Sequence, residues 1–315
     1  MPQAKIDGLL FKEMIQSGAA LLTQNRESVD ALNVSASGTD SKGSQSVEPM
    51  PYRQGWRKHL PWLVKQTVSI PVLAVALIRD PAFAEQLLAD GVLDFAASAR
   101  AHLADPNWAN KAFAGQEADI LPCISCMACF SKFDGEGHIT CAVNPCVGRE
   151  AELKPAAVSK NVVVVGGGPG GLYAAWACAV RGHKVTLLEK NQELGGNFRI
   201  ASYPTGKGQL SEAIRSMIVK CQKAGVDLRC GVEADEATLK ALAPDAMILA
   251  TGSNPLVLPI PGLDTCGYIT AQDMLEGKAA VGRKVLVVGG GMVGCEAAEY
   301  LAERGHQVAV IEMKD

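Results

Sequence analysis

Four cysteines, Cys123, Cys126, Cys129 and Cys141, stand in a C-x2-C-x2-C-x11-C array. Three thiolates on one tight loop, with a fourth returning from a short excursion, suit the corners of a [4Fe–4S] cube, which four Cys thiolates hold. A zinc site more often joins two C-x2-C knuckles into a tetrahedron. Unligated or disulfide-bonded thiols are the remaining reading, and Cys146 could replace Cys141 as fourth ligand on spacing alone. The array stands just upstream of a glycine run, Gly166-Gly167-Gly168-Pro169-Gly170-Gly171. Together they point to an electron-transferring chain with a cluster and a dinucleotide fold.

The glycine run belongs to a repeat. Val162-Val163-Val164-Val165-Gly166-x-Gly168-x-x-Gly171 returns 123 residues later as Val285-Leu286-Val287-Val288-Gly289-x-Gly291-x-x-Gly294. The same offset lays Gly182-His183 on Gly305-His306, and Glu189 on Glu312. In each copy the first glycine makes a tight turn, the second lets backbone approach a pyrophosphate, and the third packs helix against strand. The pyrophosphate then meets free N–H groups at a helix N-terminus. Glu189 and Glu312 end their strands, where a carboxylate accepts from ribose hydroxyls. Such a group repels a 2′-phosphate, so the second copy leans toward NADH over NADPH, with Lys314 as a counterweight. One such fingerprint is weak; two in register are strong.

The first copy continues with Leu194-Gly195-Gly196-Asn197 and then Ala250-Thr251-Gly252. Both stretches resemble elements that face FAD in two-dinucleotide-binding flavoproteins. FAD is therefore expected at Gly166, Gly168, Gly171, Glu189, Gly196, Thr251 and Gly252. NAD(P)H is expected at Gly289, Gly291, Gly294 and Glu312. Flavoprotein disulfide reductases carry a redox cysteine pair just past the Gly-Gly or inside the NAD domain. Here Asn197-Phe198-Arg199-Ile200 follows Gly196, and Cys295 stands alone after Gly294, which disfavours disulfide reduction. Cys178, Cys221, Cys230, Cys266 and Cys295 are expected to be small buried residues.

The elements that position these groups follow from apolar runs and caps. Val29–Ala36, Ile70–Leu77 and Leu93–Ala99 are short apolar stretches separated by helical segments, which implies strands of a parallel sheet buried on both faces. Asp80-Pro81 and Asp105-Pro106 each read as a helix start, with Asp capping and Pro at the first turn. Gly91 closes the first of these helices as C′. Ser37 to Gly55 is a long Gly/Ser/Pro-rich loop of the kind that often carries function. Residues 116–155 have little periodicity, and Glu152–Ser159 reads as a linker.

Composition narrows the class. The chain has 315 residues, 48% of them hydrophobic, with 32 glycines, 10 cysteines and a net charge of −3. That suits a globular α/β protein of about two to three domains. With no long basic block, nucleic acid and anionic membrane are not expected partners. Met1–Asp7 has no apolar signal segment, and the uncharged stretch Val162–Val180 is broken by five glycines and a proline. A cytoplasmic protein acting on a small molecule, with homo-oligomerisation open, is expected.

Taken together, these residues resemble the iron–sulfur flavoprotein branch of the old yellow enzyme family, which includes 2,4-dienoyl-CoA reductase, 2-enoate reductases and trimethylamine dehydrogenase. The likeness is most specific at Cys123-Ile124-Ser125-Cys126 through Cys141-Ala142-Val143-Asn144-Pro145. It extends to Leu93-Asp94-Phe95 through Arg100-Ala101-His102-Leu103-Ala104-Asp105-Pro106. It implies the last strands of an FMN-type TIM (β/α)8 barrel over 1–115, a cluster segment over 116–155, a Rossmann-type FAD domain over 156–280 and the start of an NAD(P) domain over 281–315. It also implies that Arg100 holds the FMN phosphate, with a surface ion pair as the alternative. Ala76-Leu77 departs from the family's Gly-Arg or Asn-Arg. Its first five barrel strands, with their substrate and proton-donor positions, have no counterpart, so the chain is expected to be an internal part of a longer enzyme.

The resemblance implies NAD(P)H-dependent reduction of an activated C=C bond, with electrons running from NAD(P)H through FAD and the cluster to FMN. Two alternatives stay open: an amine dehydrogenase running the other way, and a non-catalytic electron-transfer module.

Overall fold

A computed structural model of the protein describes residues 29–35, 47–75, 77–130 and 139–313. Most of the long loop expected over 37–55, with Ala76 and Lys314, lies outside the described residues. The chain divides into two compact units, Met1–Gly148 and Arg149–Asp315.

In the first unit β1 (Leu32–Val34), β2 (Val72–Val75) and β3 (Phe95–Ala97) form a parallel sheet in chain order. Leu32 lies opposite Val72, and Leu73 opposite Phe95. Helix α1 (His59–Lys65) connects the first pair and α2 (Pro81–Ala89) the second, while α3 (Ala99–Ala104) and α4 (Trp108–Phe113) follow β3. Each expected strand is present, but the two-face burial is not. Val72 and Ala74 are enclosed, whereas Val75 and Phe95 are exposed. Ile78, Leu87, Leu93, Ala101 and Trp108 pack with Ala74 on the covered face. Among the described residues nothing comparable encloses the other face, so the period-2 alternation sends Val75 and Phe95 outward.

The two Asp-Pro pairs part ways. Asp80 caps α2, accepting from the Ala82 N–H at 3.0 Å. The helix ends in a Schellman motif, with Gly91 at φ 64° and the Val92 N–H reaching the Leu87 carbonyl. Asp105, in contrast, does not start a helix. It follows α3, and α4 begins two residues beyond Pro106, at Trp108. Asp105 keeps the bond to the second residue on that Asp80 also makes, but its carboxylate is buried and shared with groups outside that turn. It accepts from Lys111 Nζ at 2.5 Å, the Leu121 N–H at 3.0 Å and the Asn107 N–H at 3.1 Å. It therefore ties the end of α3 to the strand-like approach to the cysteines.

The second unit is an α/β layer of Rossmann type. Strands β4 (Asn161–Val165), β5 (Lys184–Glu189), β6 (Asp227–Cys230) and β7 (Ala246–Leu249) are all parallel, in the order β6-β5-β4-β7. The all-valine centre of β4 is fully enclosed, as expected of a parallel strand covered on both faces. Helices α5 (Pro169–Val180), α6 (Gly196–Ile200), α7 (Gly208–Lys223) and α8 (Glu236–Leu242) fill the connections. Helix α7 turns Leu210, Ala213, Ile214, Met217 and Cys221 inward at helical spacing. After α9 (Leu263–Cys266) and α10 (Ala271–Leu275), β8 (Lys284–Val288), α11 (Met292–Glu303) and β9 (Gln307–Ile311) make a second, two-stranded parallel pair. Among the described residues no helix is long and apolar enough to cross a membrane.

Candidate functional site

Cys123, Cys126, Cys129 and Cys141 line one pocket in the first unit, together with Leu103, Ile124, Val143 and the Arg100 side chain. Cys146, the alternative ligand, is not part of its lining. The loop from Cys123 to Cys129 bends twice into left-handed backbone, at Ser125 (φ 52°) and Met127 (φ 64°). Such conformations cost non-glycine residues about 1–2 kcal/mol each and persist where the surroundings over-determine them, often at ligand clamps. Here the Ser125 N–H donates to Cys123 Sγ at 3.4 Å, and Arg79 Nη1 donates to Ser125 Oγ at 3.4 Å. Asn144 fixes the returning segment: its Nδ2 donates to the Leu103 carbonyl at 2.9 Å, and its Oδ1 accepts from the Cys146 N–H at 3.1 Å.

The donor set is four thiols, with no His, Asp or Glu among the lining residues, which is the set a four-iron cube takes. A zinc would need each sulfur about 2.3 Å from one centre, whereas a four-iron cube takes one thiolate per corner and spreads them. Burial raises the Cys129 thiol, as do the neighbouring Cys123 and Cys126, while the Arg100 guanidinium opposes them. Burial also raises Cys141, with Cys123 and Cys126 adding to it against the Val143 and Asn144 N–H groups. The thiols therefore feel one another's charge, and loading the site must release their protons.

Arg100, expected at an FMN phosphate, lies on α3 with its guanidinium turned to Glu48. Its Nη2 is 3.0 Å from Glu48 Oε2, and its Nη1 donates to the Glu48 carbonyl at 2.7 Å and to Met127 Sδ at 3.7 Å. Trp56 Nε1 donates to Glu48 Oε1 at 3.1 Å, and Arg57 lies 3.7 Å from the same oxygen. Glu48 is the residue that sequence reasoning missed. A lone acid in a polar loop gives no sign that folding will bury it between two arginines.

In the second unit the glycine turn, the Gly-Gly and the Ala-Thr-Gly come together. Strand order reverses between β4 and β7, and ligands of open α/β sheets sit at the carboxyl ends flanking such a switch. The glycine turn leaves β4 and Ala250-Thr251-Gly252 leaves β7, one on each side of it. Gly166 has φ 108°, and a Cβ there would stand 2.2 Å from the Ala250 carbonyl oxygen. A Cβ on Gly171 would stand 1.8 Å from the Gly166 oxygen, so helix α5 rests directly on the turn. Gly168 has open space where its Cβ would be. The Gly195 N–H donates to the Gly167 carbonyl at 2.8 Å, bringing Gly196 against Gly168, and Asn197 Nδ2 donates to the Ser253 carbonyl at 3.1 Å. Buried Glu189 closes the cradle: its Oε2 accepts from the Gly167 N–H at 2.7 Å, and its Oε1 from the Asn191 N–H at 2.8 Å.

The repeat holds at atomic detail. Gly289 has φ 105°, and a Cβ on Gly294 would stand 1.8 Å from the Gly289 oxygen. Glu312 Oε2 accepts from the Gly290 N–H at 2.7 Å, as Glu189 does from Gly167. All ten cysteines are free thiols. Cys221 is buried, with burial pushing its thiol up to about 11. Cys178 and Cys230 are half-buried, and Cys266 and Cys295 are exposed, contrary to the expectation for all five. Cys295 lies in the first turn of α11, and Leu286 and Val288 of β8 are also exposed.

Residues 160–315 match the family described as pyridine nucleotide-disulphide oxidoreductase. The chain is 44% identical over 294 residues to an NADH oxidase of Thermoanaerobacter brockii, covering 90% of this chain and 45% of that protein. It is 36% identical over 291 residues to a cinnamate reductase of Clostridium sporogenes, covering 91% and 43%. Among solved structures a 2-naphthoyl-CoA reductase superposes with a TM-score of 0.85 at 32% identity, covering 93% of this chain and 45% of that one. The chain thus spans about half the length of the curated relatives it matches. On these grounds the chain is homologous to old-yellow-enzyme-type iron–sulfur flavoproteins over about 45% of their length.

Proposed function

We propose that the protein serves NAD(P)H-dependent reduction of an activated C=C bond of enoate or enoyl-thioester type. One observation carries this reading: a pocket lined by four cysteines and a dinucleotide cradle at a strand-order switch occur in the same chain. Two of the relatives support the substrate class, being named for a cinnamate and for 2-naphthoyl-CoA.

When bound, a flavin exchanges two electrons with a nicotinamide and one at a time with a cluster, so each kind of site has a part. The first N–H groups of α5 would hold the FAD pyrophosphate where Gly168 leaves space, and Glu189 would turn an oxygen to the ribose. Gly196, Thr251 and Gly252 would wall the flavin side. Gly289, Gly291 and Gly294 would do the same for NAD(P)H, with Glu312 repelling a 2′-phosphate and so favouring NADH. Cys123, Cys126, Cys129 and Cys141 would hold the four irons. FMN enters only through the family's pattern. With Arg100 engaged by Glu48, no step is assigned to FMN, and no residue of this chain is assigned to the substrate.

The test is anaerobic purification of the chain with iron, acid-labile sulfide, FAD and FMN counted per polypeptide, followed by mixing with NADH. Four irons, one FAD and flavin bleaching by NADH are expected. Absence of iron and sulfide would overturn the reading. Flavin bleached by an amine but not by NADH would reverse the direction of electron flow.

A further inference from the structure

We propose that Arg100, held in place by Glu48, is a positioning residue that raises the reduction potential of the cluster seated by the four cysteines. This rests on the cluster assigned above. Arg100 lines the same pocket as Cys123, Cys126, Cys129 and Cys141. Its Nη1 reaches Met127 Sδ at 3.7 Å, within the turn between Cys126 and Cys129. The guanidinium does not swing away, because Glu48 grips it at 3.0 Å through the side chain and at 2.7 Å through the backbone. Glu48 is itself fixed by Trp56 Nε1 at 3.1 Å and Arg57 at 3.7 Å. The Arg100 and Glu48 side chains are only 13% and 11% exposed, so solvent and salt screen their charges little.

Cluster potentials follow net charge, hydrogen bonds to sulfur and exposure. Taking up one electron makes the cluster more negative, which a nearby guanidinium favours and a nearby carboxylate opposes. Arg100 and Glu48 therefore push in opposite directions, and the pair sets the balance. That opposition separates an electrostatic role from a structural one, since loosening the pocket would move both variants alike.

The experiment uses the full 315-residue chain, reconstituted anaerobically with iron and sulfide. Its one-electron midpoint is read by redox titration followed by electron paramagnetic resonance. Arg100→Met is expected to lower the midpoint by about a tenfold change in the reduction equilibrium, about 59 mV for one electron. Glu48→Gln keeps the backbone carbonyl and a side-chain oxygen as acceptors that hold Arg100 in place, removes only the negative charge, and is expected to raise it. Shifts of the same sign in both variants, or none in either with iron and sulfide intact, would overturn the inference. Should Arg100→Met lose its cluster, Glu48→Gln decides alone: a rise supports the inference, and no change or a fall overturns it. A wild-type chain without iron or sulfide would instead overturn the function proposed above, and this inference with it.

Discussion

Gly171→Ala tests the close packing of helix on turn. The new Cβ would stand 1.8 Å from the Gly166 carbonyl oxygen, against a usual carbon–oxygen approach of about 3.3 Å. Roughly 1.5 Å must therefore come from moving the first turn of α5 off the end of β4. Both partners are backbone, so no side chain can rotate clear. Overpacking costs about 1–3 kcal/mol, and rigid backbone on both sides puts this case near 3. For a domain the size of the second unit, each kcal/mol lowers the melting temperature by about 2–4 °C, which predicts a loss of roughly 6–12 °C. The neighbouring residue supplies the control. Gly170 is also in α5, and a Cβ there meets nothing within 4 Å. Gly170→Ala should gain about 0.5–1 kcal/mol from reduced backbone entropy. Thermal unfolding of the flavin-free chain by circular dichroism reads both. A Gly171→Ala midpoint matching wild type, or a Gly170→Ala loss as large as that of Gly171→Ala, would refute the reasoning.

Other perturbations read other parts of the molecule. Glu189→Ala removes the acceptor of the Gly167 and Asn191 N–H groups; hydrogen bonds to a charged group are worth about 1.5–3 kcal/mol, so equilibrium dialysis should show FAD bound at least tenfold more weakly. Cys141→Ala takes one corner from the pocket, and iron analysis should fall below four per chain, while Cys146→Ala should leave the count unchanged. Asp94 is held below the usual carboxylate range first by the hydrogen bond from Lys65 and then by the Val72 N–H. A depressed folded-state value means that its contribution is present at neutral pH and lost as pH falls through that value. Urea midpoints should therefore show Asp94→Asn destabilised by under about 1 kcal/mol at pH 7. The gap from wild type should close below about pH 4.

The glycine repeat and the cysteine spacing were readable from sequence because both are local. A turn at φ 108°, a helix resting on it and a strand-end glutamate all fall in one short stretch, Gly166 to Glu189, so their order carries their geometry. The parallel strands were readable for the same reason, as runs of apolar residues between caps. Asp105 shows the limit. Its Asp-Pro pair is indistinguishable from Asp80-Pro81 in sequence, yet Leu121 and Lys111 claim its carboxylate once the chain folds back. Which face of the first sheet is covered, and which cysteines stay exposed, depended equally on what packs alongside. Sequence alone thus determined the kinds of site and their candidate residues. Tertiary structure decided that four cysteines share one pocket, that Gly-Gly and Ala-Thr-Gly meet at the strand-order switch, and that Glu48 reaches across 52 positions to Arg100. Charges pair by distance in space, and that distance is set only when the loops between them are folded.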